Sequence, residues 1–402
     1  MKTKDSSARR TRINKIIEST NGGLVVFTGY NQMQYSADMA APFLQEGNFW
    51  WTTGIDAPGW RVIIDGVRKK VTLVRPDLSE IQKLFDGGLS DESALQSSDA
   101  DEIIRAADFE SYIRSLQRTH SAVYTITTAP SYDFVVNPAQ HDLRAMLGRV
   151  FPSVLDCSTV MASLRAIKTE DEIIVMKQAA KLTTQAFSHI AQNFANYHYE
   201  YEIEADFTHI FRRQNAQHAY EPIVAADKNA TILHYTMNNA KIKKNAMILI
   251  DVGARVNGYV ADVTRTYAVS PTFRQKQVHH AVETAQRRII KTIAPHVSLV
   301  EYQTKVDEIM KDALEGLGLL KDRLDSETYR KYFPHAISHG LGVDVHDSLG
   351  RPKMFLPGMV ITVEPGIYIS EEGIGVRIED DILVTETGHH NLTSAISTSL
   401  LT

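Results

Sequence analysis

The sequence predicts an α/β protein of two domains, an expectation that rests on three observations. The chain has 402 residues, more than a single hydrophobic core usually organises. Residues 1–157 alternate apolar strand-like runs with helical stretches, the pattern of an α/β layer. Residues 158–402 open with a long amphipathic helix and then set further helices among strand-rich segments.

Composition removes several function classes. Hydrophobic residues make up 43% and charged residues 23%, which is globular rather than disordered. A net charge of −5 leaves no basic footprint, so no nucleic-acid partner is expected. The single cysteine, Cys157, excludes an internal disulfide framework and points to a reducing compartment. Its neighbours Leu155, Asp156 and Ser158 offer no histidine, so it reads as a small residue tolerated at a domain junction. The stretch MKTKDSSARRTRINK is polar where a secretory signal is apolar. No run approaches the roughly 18 apolar residues of a membrane span. A cytoplasmic location without membrane contact is therefore expected.

In the first domain, strand-like runs fall at Gly23–Phe27, Arg61–Ile64, Lys70–Val74 and Ala122–Thr125. Helical stretches cover Ser79–Phe85 and Asp99–Gln117. A boundary follows near Pro152–Thr159. Thr169 and Glu172 then have the spacing of a capping box. Behind it Ile173, Met176, Ala180, Thr183, Phe187 and Ile190 recur at helical spacing. Two further helices are expected over Tyr201–Asn215 and Thr272–Ala294. No repeat at the solenoid scale and no low-complexity tract is present.

Asp251 ends the apolar run Met247–Asp251, where a lone carboxylate is costly unless paired, hydrogen-bonded or bound to metal. The dipeptide Asn257-Gly258 downstream signals a two-residue hairpin turn of type I′. Such a turn sets Val256 opposite Tyr259 and, counting outward, Gly253 opposite Asp262. Residues opposed or two apart share a face, so Asp251 and Asp262 become diagonal neighbours roughly 7–8 Å apart at the backbone. A divalent cation would relieve their repulsion. Two solvated aspartates, or a pair neutralised by Arg265, are the alternatives.

A second pair follows the same logic. Glu364 and Glu379 each interrupt an apolar strand, and Ser370–Gly373 would turn the chain between them. Pro365-Gly366 spoils a regular ladder there, and two glutamates at solvated strand ends are the alternative. Between the pairs lie His335, His339 and His346, set among glycines and apolar residues, with His234 ahead of the first aspartate. One such histidine is usually a satisfied core residue, but the cluster with its acidic neighbours reads as the wall of an active site. Four carboxylates and one imidazole would hold two divalent ions, most suitably Mn²⁺, with Zn²⁺ or Co²⁺ as alternatives. Two such ions activate water and stabilise the oxyanion formed when it attacks an amide.

The order Asp251, Asp262, His339, Glu364, Glu379 resembles the five-ligand set of the pita-bread metallopeptidases. Four strings narrow this to the Xaa-Pro aminopeptidase and prolidase branch: Asp262-Val-Thr-Arg-Thr266, Ser338-His339-Gly-Leu-Gly-Val-Asp-Val-His346-Asp347, Glu364-Pro-Gly-Ile-Tyr368 and Arg377-Ile-Glu379-Asp-Asp381. In the first domain, Phe43-Leu-Gln-Glu-Gly-Asn-Phe49-Trp50-Trp-Thr-Thr-Gly54 is similar to a stretch of aminopeptidase P N-terminal domains. The resemblance implies a creatinase-like α/β domain over 1–157. Over 158–402 it implies a catalytic pita-bread α+β domain with a curved, largely antiparallel sheet.

By the same resemblance Asp251 ligates one ion, Asp262 and Glu379 bridge both, and His339 with Glu364 holds the other. Glu364 is then the general base. His346 and His234 hold the scissile carbonyl, and His335 lines the substrate site with them. Arg377 orients Glu379 and its neighbours. The implied activity is hydrolysis of an N-terminal Xaa-Pro bond by a homodimer or higher homo-oligomer. A prolidase restricted to dipeptides is the runner-up. A metal-free creatinase-like hydrolase or binding module is disfavoured because all five ligands are present, and a methionine aminopeptidase by the large first domain. Short connections from His346 to Pro357 and from Tyr368 to Gly375, and glycine at position 340, depart from the larger bacterial pattern around the substrate groove.

Overall fold

In the computed structural model, which describes residues 4–127 and 136–400, the backbone separates into two units, Met1–Leu164 and Arg165–Thr402. The first is built on a six-stranded sheet. Its strands run in the order Glu102–Arg105, Lys70–Arg75, Arg61–Asp65, Leu24–Thr28, Ala122–Thr125, Ser153–Asp156. Leu24–Thr28 is buried along its whole length, which explains the apolar run of its first four residues. It pairs antiparallel with Arg61–Asp65 and parallel with Ala122–Thr125. Leu24, Val26, Ile63 and Val74 pack there with Phe109, Ile113 and Leu147.

The four expected strands form, Ala122–Thr125 with its bounds as expected and the others with ends moved by one residue, and Ser79 caps the helix Glu80–Asp86. The expected helix over Asp99–Gln117 is half wrong. Asp99 takes φ 56° and ends the helix before it, Asp91–Ser98. Glu102–Arg105 is instead a strand parallel to Lys70–Arg75, with Thr72 Oγ1 donating to Glu102 Oε1 at 2.9 Å. A 3₁₀ turn at Ala106–Asp108 leads into the α-helix, which begins only at Phe109 and runs to Leu116. An open sheet edge outcompetes a single helical turn that contains two adjacent isoleucines.

The string from Phe43 to Gly54 has a structural explanation. Glu46 accepts from Phe49 N at the start of the helix Gly47–Thr53, and Gly54, at φ 70°, closes it. Phe49 and Trp51 point into the core. Cys157 is buried, and burial pushes its thiol up to about 12, so it stays protonated and unreactive.

In the second unit, Thr169 and Glu172 cap the helix Glu170–Asn193 reciprocally. Met176, Ala180, Thr183, Phe187 and Ile190 form its buried face, with Ile173 half-buried. Phe187 meets Phe207 of the helix Glu200–Arg213 edge-on, with ring centroids 5.0 Å apart. The third expected helix is Phe273–Ile290, shorter than expected at its C-terminal end. Among the described residues every strand pair of this unit is antiparallel. Val278, Val282, Ile289, Val306 and Met310 from two helices pack on Ile361, Val363 and Ile382 of the sheets and on Ile378 between strands.

Candidate metal centre

Two hairpins bring the carboxylates together. In the first, Asn257 and Gly258 have φ of 44° and 81°, the left-handed pair that a type I′ turn requires. Val256 pairs with Tyr259 and Arg255 with Val260. Farther out Ile250 pairs with Arg265 and Asp251 with Thr264. The register therefore runs unbroken, and Gly253 stands opposite Asp262. A β-carbon at Gly253 would lie 1.7 Å from Ala261 O, so only glycine lets the strands close between the two aspartates.

The second hairpin keeps its register through the proline. Val363 pairs with Asp380 and Gly366 with Arg377, which sets Glu364 opposite Glu379. Pro365 cannot donate, but its carbonyl still accepts from Ile378 N at 3.3 Å. The hairpins meet along a seam where Glu379 N donates to Thr264 O at 3.0 Å and Thr266 Oγ1 donates to Arg377 O at 3.0 Å.

His339 arrives on a segment alongside Val360–Val363. Thr362 N donates to His339 O and Glu364 N to Ile337 O, both at 3.0 Å. His339 Nδ1 lies 3.0 Å from Gly340 O. A carbonyl only accepts, so Nδ1 carries the proton and the lone pair is on Nε2. Nε2 stands 3.5 Å from Asp262 Oδ2 and 3.5 Å from Glu364 Oε1. Asp262, His339 and Glu379 offer ligand atoms within 4.8 Å of one another. Ligand bonds of about 2.0–2.6 Å span such a gap.

Burial sets the charge state of these groups. Burial first, then the charge of Asp251, holds the Asp262 carboxyl well above its usual range. Glu379 is raised by burial and by Asp262, and burial pushes Glu364 up to about 8. Burial also pulls His335 and His339 down to about 4, leaving neutral imidazoles. Buried acids that cannot all ionise beside neutral imidazole make a donor set suited to divalent metal.

Tyr220 belongs to this site and was not found from sequence. Its hydroxyl lies 2.5 Å from Asp251 Oδ1 and 2.6 Å from Asp262 Oδ1. One hydroxyl proton serves one of these contacts, so the other needs a proton or a cation on the carboxylates. Tyr220 is delivered by the strand Gln217–His218, which pairs with Ala254–Arg255. No periodicity or motif in the sequence marks it.

Arg265 does not neutralise the aspartates. It donates to Asp380 Oδ1 and to Glu379 O, both at 2.6 Å. Arg377 grips Asp251 rather than Glu379, with Nη2 2.5 Å from Oδ2. Asp381, also unread, accepts from the backbone N of Asp262 with both oxygens, at 3.3 and 3.2 Å.

The histidines surround this cage. His335 Nδ1 donates to Ala336 O at 2.8 Å, and its Nε2 accepts from Tyr368 Oη at 2.9 Å. The rings of His339 and His346 meet edge-on at 4.4 Å. His234 is exposed, and its field reaches His335 and His346. The loop that carries it is tied down by fully buried Glu200. Glu200 accepts from Ala226 N at 2.7 Å, Ala240 N at 2.8 Å and Tyr235 Oη at 2.9 Å.

Comparison with known proteins shows the family. Residues 175–386 match metallopeptidase family M24, and residues 7–124 match the aminopeptidase P N-terminal domain. The chain is 33% identical to the Xaa-Pro aminopeptidase of Haemophilus influenzae, over 96% of this chain and 93% of that one. It is 32% identical to the Xaa-Pro aminopeptidase of Escherichia coli, over 90% and 88%. Zinc-substituted Escherichia coli aminopeptidase P in complex with product superposes with a TM-score of 0.87 at 27% identity, over 99% of this chain and 97% of that one.

Proposed function

The chain belongs to metallopeptidase family M24, in its Xaa-Pro aminopeptidase branch, and from that premise we propose that the cage of Asp251, Asp262, His339, Glu364 and Glu379 is its catalytic centre. The protein is a metal-dependent exopeptidase that hydrolyses the N-terminal Xaa-Pro bond, built from an α/β domain and a pita-bread domain. The observation that carries the siting is the convergence of Asp262, His339 and Glu379 within 4.8 Å.

In this reading Asp251 would serve one divalent ion, His339 and Glu364 a second, and Asp262 and Glu379 both. Mn²⁺ is the cation proposed, on the oxygen-rich donor set. When bound, the metal supplies Lewis acidity to water and to the scissile carbonyl. Glu364 takes one proton of the attacking water and returns it to the departing proline nitrogen, so the amide gives one amine and one carboxylic acid, whose own proton passes to solvent at neutral pH. His346 and His234 donate to the carbonyl oxygen as its charge develops. Arg377 holds Asp251 in place. The substrate's free ammonium group lies against the carboxylates, which restricts cleavage to the first bond. His335 lines the groove, locked by Tyr368 and Ala336.

The expected self-association is supported by the first domain, where Ile81, Leu84 and Phe85 of one short helix are 68%, 82% and 80% exposed. Among the described residues no helix is long and apolar enough to cross a membrane, and a cytoplasmic location is proposed on the single, unpaired cysteine. The deciding experiment is a substrate panel of Xaa-Pro dipeptide, Xaa-Pro-Yaa tripeptide and Met-Ala-Ser, with and without Mn²⁺. Both proline peptides should be cleaved, and only with metal. A tripeptide left intact beside a cleaved dipeptide makes the protein a prolidase.

A further inference from the structure

His339 and His346 stand at the two ends of one closed loop. Gly340 and Asp347 form an isolated antiparallel bridge, with Asp347 N donating to Gly340 O at 2.8 Å. That closure sets the two rings side by side. The loop is held from two directions. From the first hairpin, Val260 N donates to Gly342 O at 3.0 Å and Arg255 Nη1 to Val343 O at 2.8 Å.

From the entry to the long helix come two cations. Arg165 Nη2 lies 3.0 Å from Asp347 Oδ1 and 2.6 Å from Asp344 Oδ2, and Lys168 Nζ lies 3.8 Å from Asp347 Oδ2. Asp347, Arg165 and Lys168 are 4%, 4% and 5% exposed. The Asp347 carboxylate fills the space a side chain at position 342 would need, since a β-carbon there would lie 2.2 Å from its Oδ2. The cations are fixed in turn. Lys168 N donates to Gly358 O at 2.9 Å, and Thr169 beside it shares Glu172 with Tyr259, whose hydroxyl donates to Glu172 Oε1 at 2.6 Å.

Three charges withdrawn from water are a poor way to gain stability, because apolar side chains of equal volume do as well or better. What such a cluster supplies is one orientation of the backbone it grips. We propose that Asp347, held by Arg165 and Lys168, is a positioning residue for the hydrolysis. It fixes the loop so that His346 meets the scissile carbonyl while His339 keeps Nε2 toward Asp262 and Glu364. This rests on the roles given above to His339 and His346.

The test is a double-mutant cycle in the metal-loaded enzyme, with an Xaa-Pro-Yaa tripeptide. Asp347→Asn keeps the side chain's shape and removes its charge. It should lower kcat by about 10–100-fold with KM changed by no more than about twofold. His346→Ala alone should lower kcat by about 10²–10³-fold. The double variant should be no slower than His346→Ala, because with the metal saturating, the kcat loss of Asp347→Asn runs through His346. Calorimetric titration of chelator-stripped Asp347→Asn with Mn²⁺ should show affinity about tenfold weaker, through His339.

Losses that multiply in the double variant overturn the proposal. So does an Asp347→Asn enzyme with full kcat and unchanged Mn²⁺ affinity. Where Asp347→Asn does not fold, Lys168→Met carries the same cycle. If neither folds, the cluster serves the fold alone and the proposal fails. A His346→Ala enzyme at the wild-type rate defeats the reading of the site itself, whatever Asp347 does.

Discussion

Arg377 and Asp251 are joined by a 2.5 Å contact from Nη2 to Oδ2, with both side chains nearly sealed from solvent. The same guanidinium donates Nη1 to Tyr368 Oη at 2.8 Å and Nε to Thr264 Oγ1 at 3.1 Å. Each hydroxyl passes the order on: Tyr368 donates to His335, and Thr264 donates to Glu379 Oε2 at 2.7 Å. Arg377 therefore orients Glu379 through Thr264, not by touching it. One planar fork aligns a carboxylate from each hairpin and a histidine of the wall.

Arg377→Lys should accordingly lower kcat/KM by about 10–100-fold. A lysine can neutralise Asp251, but its single nitrogen cannot span the three partners that Nε, Nη1 and Nη2 of the planar guanidinium reach. Arg377→Ala should be worse, since it leaves Asp251 buried without its cation. Steady-state kinetics with metal analysis separates the two, and a lysine variant at the wild-type rate contradicts the relay.

Substitutions at the cage and at its wall should differ in kind. Asp262→Ala and Glu379→Ala each remove a proposed metal ligand and should abolish turnover together with metal content. His346→Ala should keep its metal and lose about 10²–10³-fold in kcat, as expected for one donor to a developing oxyanion. Elemental analysis beside kinetics reads both. An Asp262→Ala protein with full metal and full activity would place the centre elsewhere.

Metal removal should make stability fall with rising pH over a definite window. Burial pushes the Glu364 carboxyl from 4.5 up to about 8 in the metal-free chain. The native state then holds a proton that the unfolded state has released, so this stabilisation is full below about 4.5 and is lost as pH rises through about 8. His335 and His339 act oppositely. Burial lowers them from 6.5 to about 4, so their contribution is present above about 6.5 and lost as pH falls toward 4. Between pH 4.5 and 6.5 the effects compete; from 6.5 to 8 only the acid side acts, with Asp262 and Glu379 raised in the same sense. Calorimetry on chelator-treated protein should show Tm falling from pH 6.5 to 8, and added Mn²⁺ should reverse the fall. A Tm that rises over that range in the metal-free protein would mean the acids are not sharing protons.

What could be read from sequence was whatever a local rule determines. Asn257-Gly258 permits one tight turn, one turn permits one register, and that register carried the count out to Asp251 and Asp262. The same counting works for Glu364 and Glu379 because Pro365 loses a donor without inserting a residue. Tyr220 escaped because it reaches the aspartates through the two-residue strand Gln217–His218, too short to leave a pattern. The path from Arg377 through Thr264 to Glu379 depends on how two hairpins abut, which no spacing along the chain encodes. The strand Glu102–Arg105 was misread as helix because its partner lies about thirty residues upstream.

Gly253 offers the sharpest check on that register. A β-carbon there would meet Ala261 O at 1.7 Å and its carbonyl carbon at 2.7 Å. The backbone cannot retreat, because Ala261 N is bound to Ala254 O and Val252 N to Val263 O, both at 3.0 Å. Gly253→Ala should cost about 1–3 kcal/mol or more by overpacking, and the folded fraction should bind metal weakly because Asp251 and Asp262 flank the displaced strands. Gly148, inside the helix Ala139–Val150, has nothing within 4 Å of its hypothetical β-carbon. Gly148→Ala should therefore stabilise by about 0.5–1 kcal/mol through helix propensity. Denaturant unfolding of both variants tests the contrast in sign. If Gly253→Ala matches Gly148→Ala in stability and keeps its metal, the strands do not close as the register requires, and the pairing of Asp251 with Asp262 fails with it.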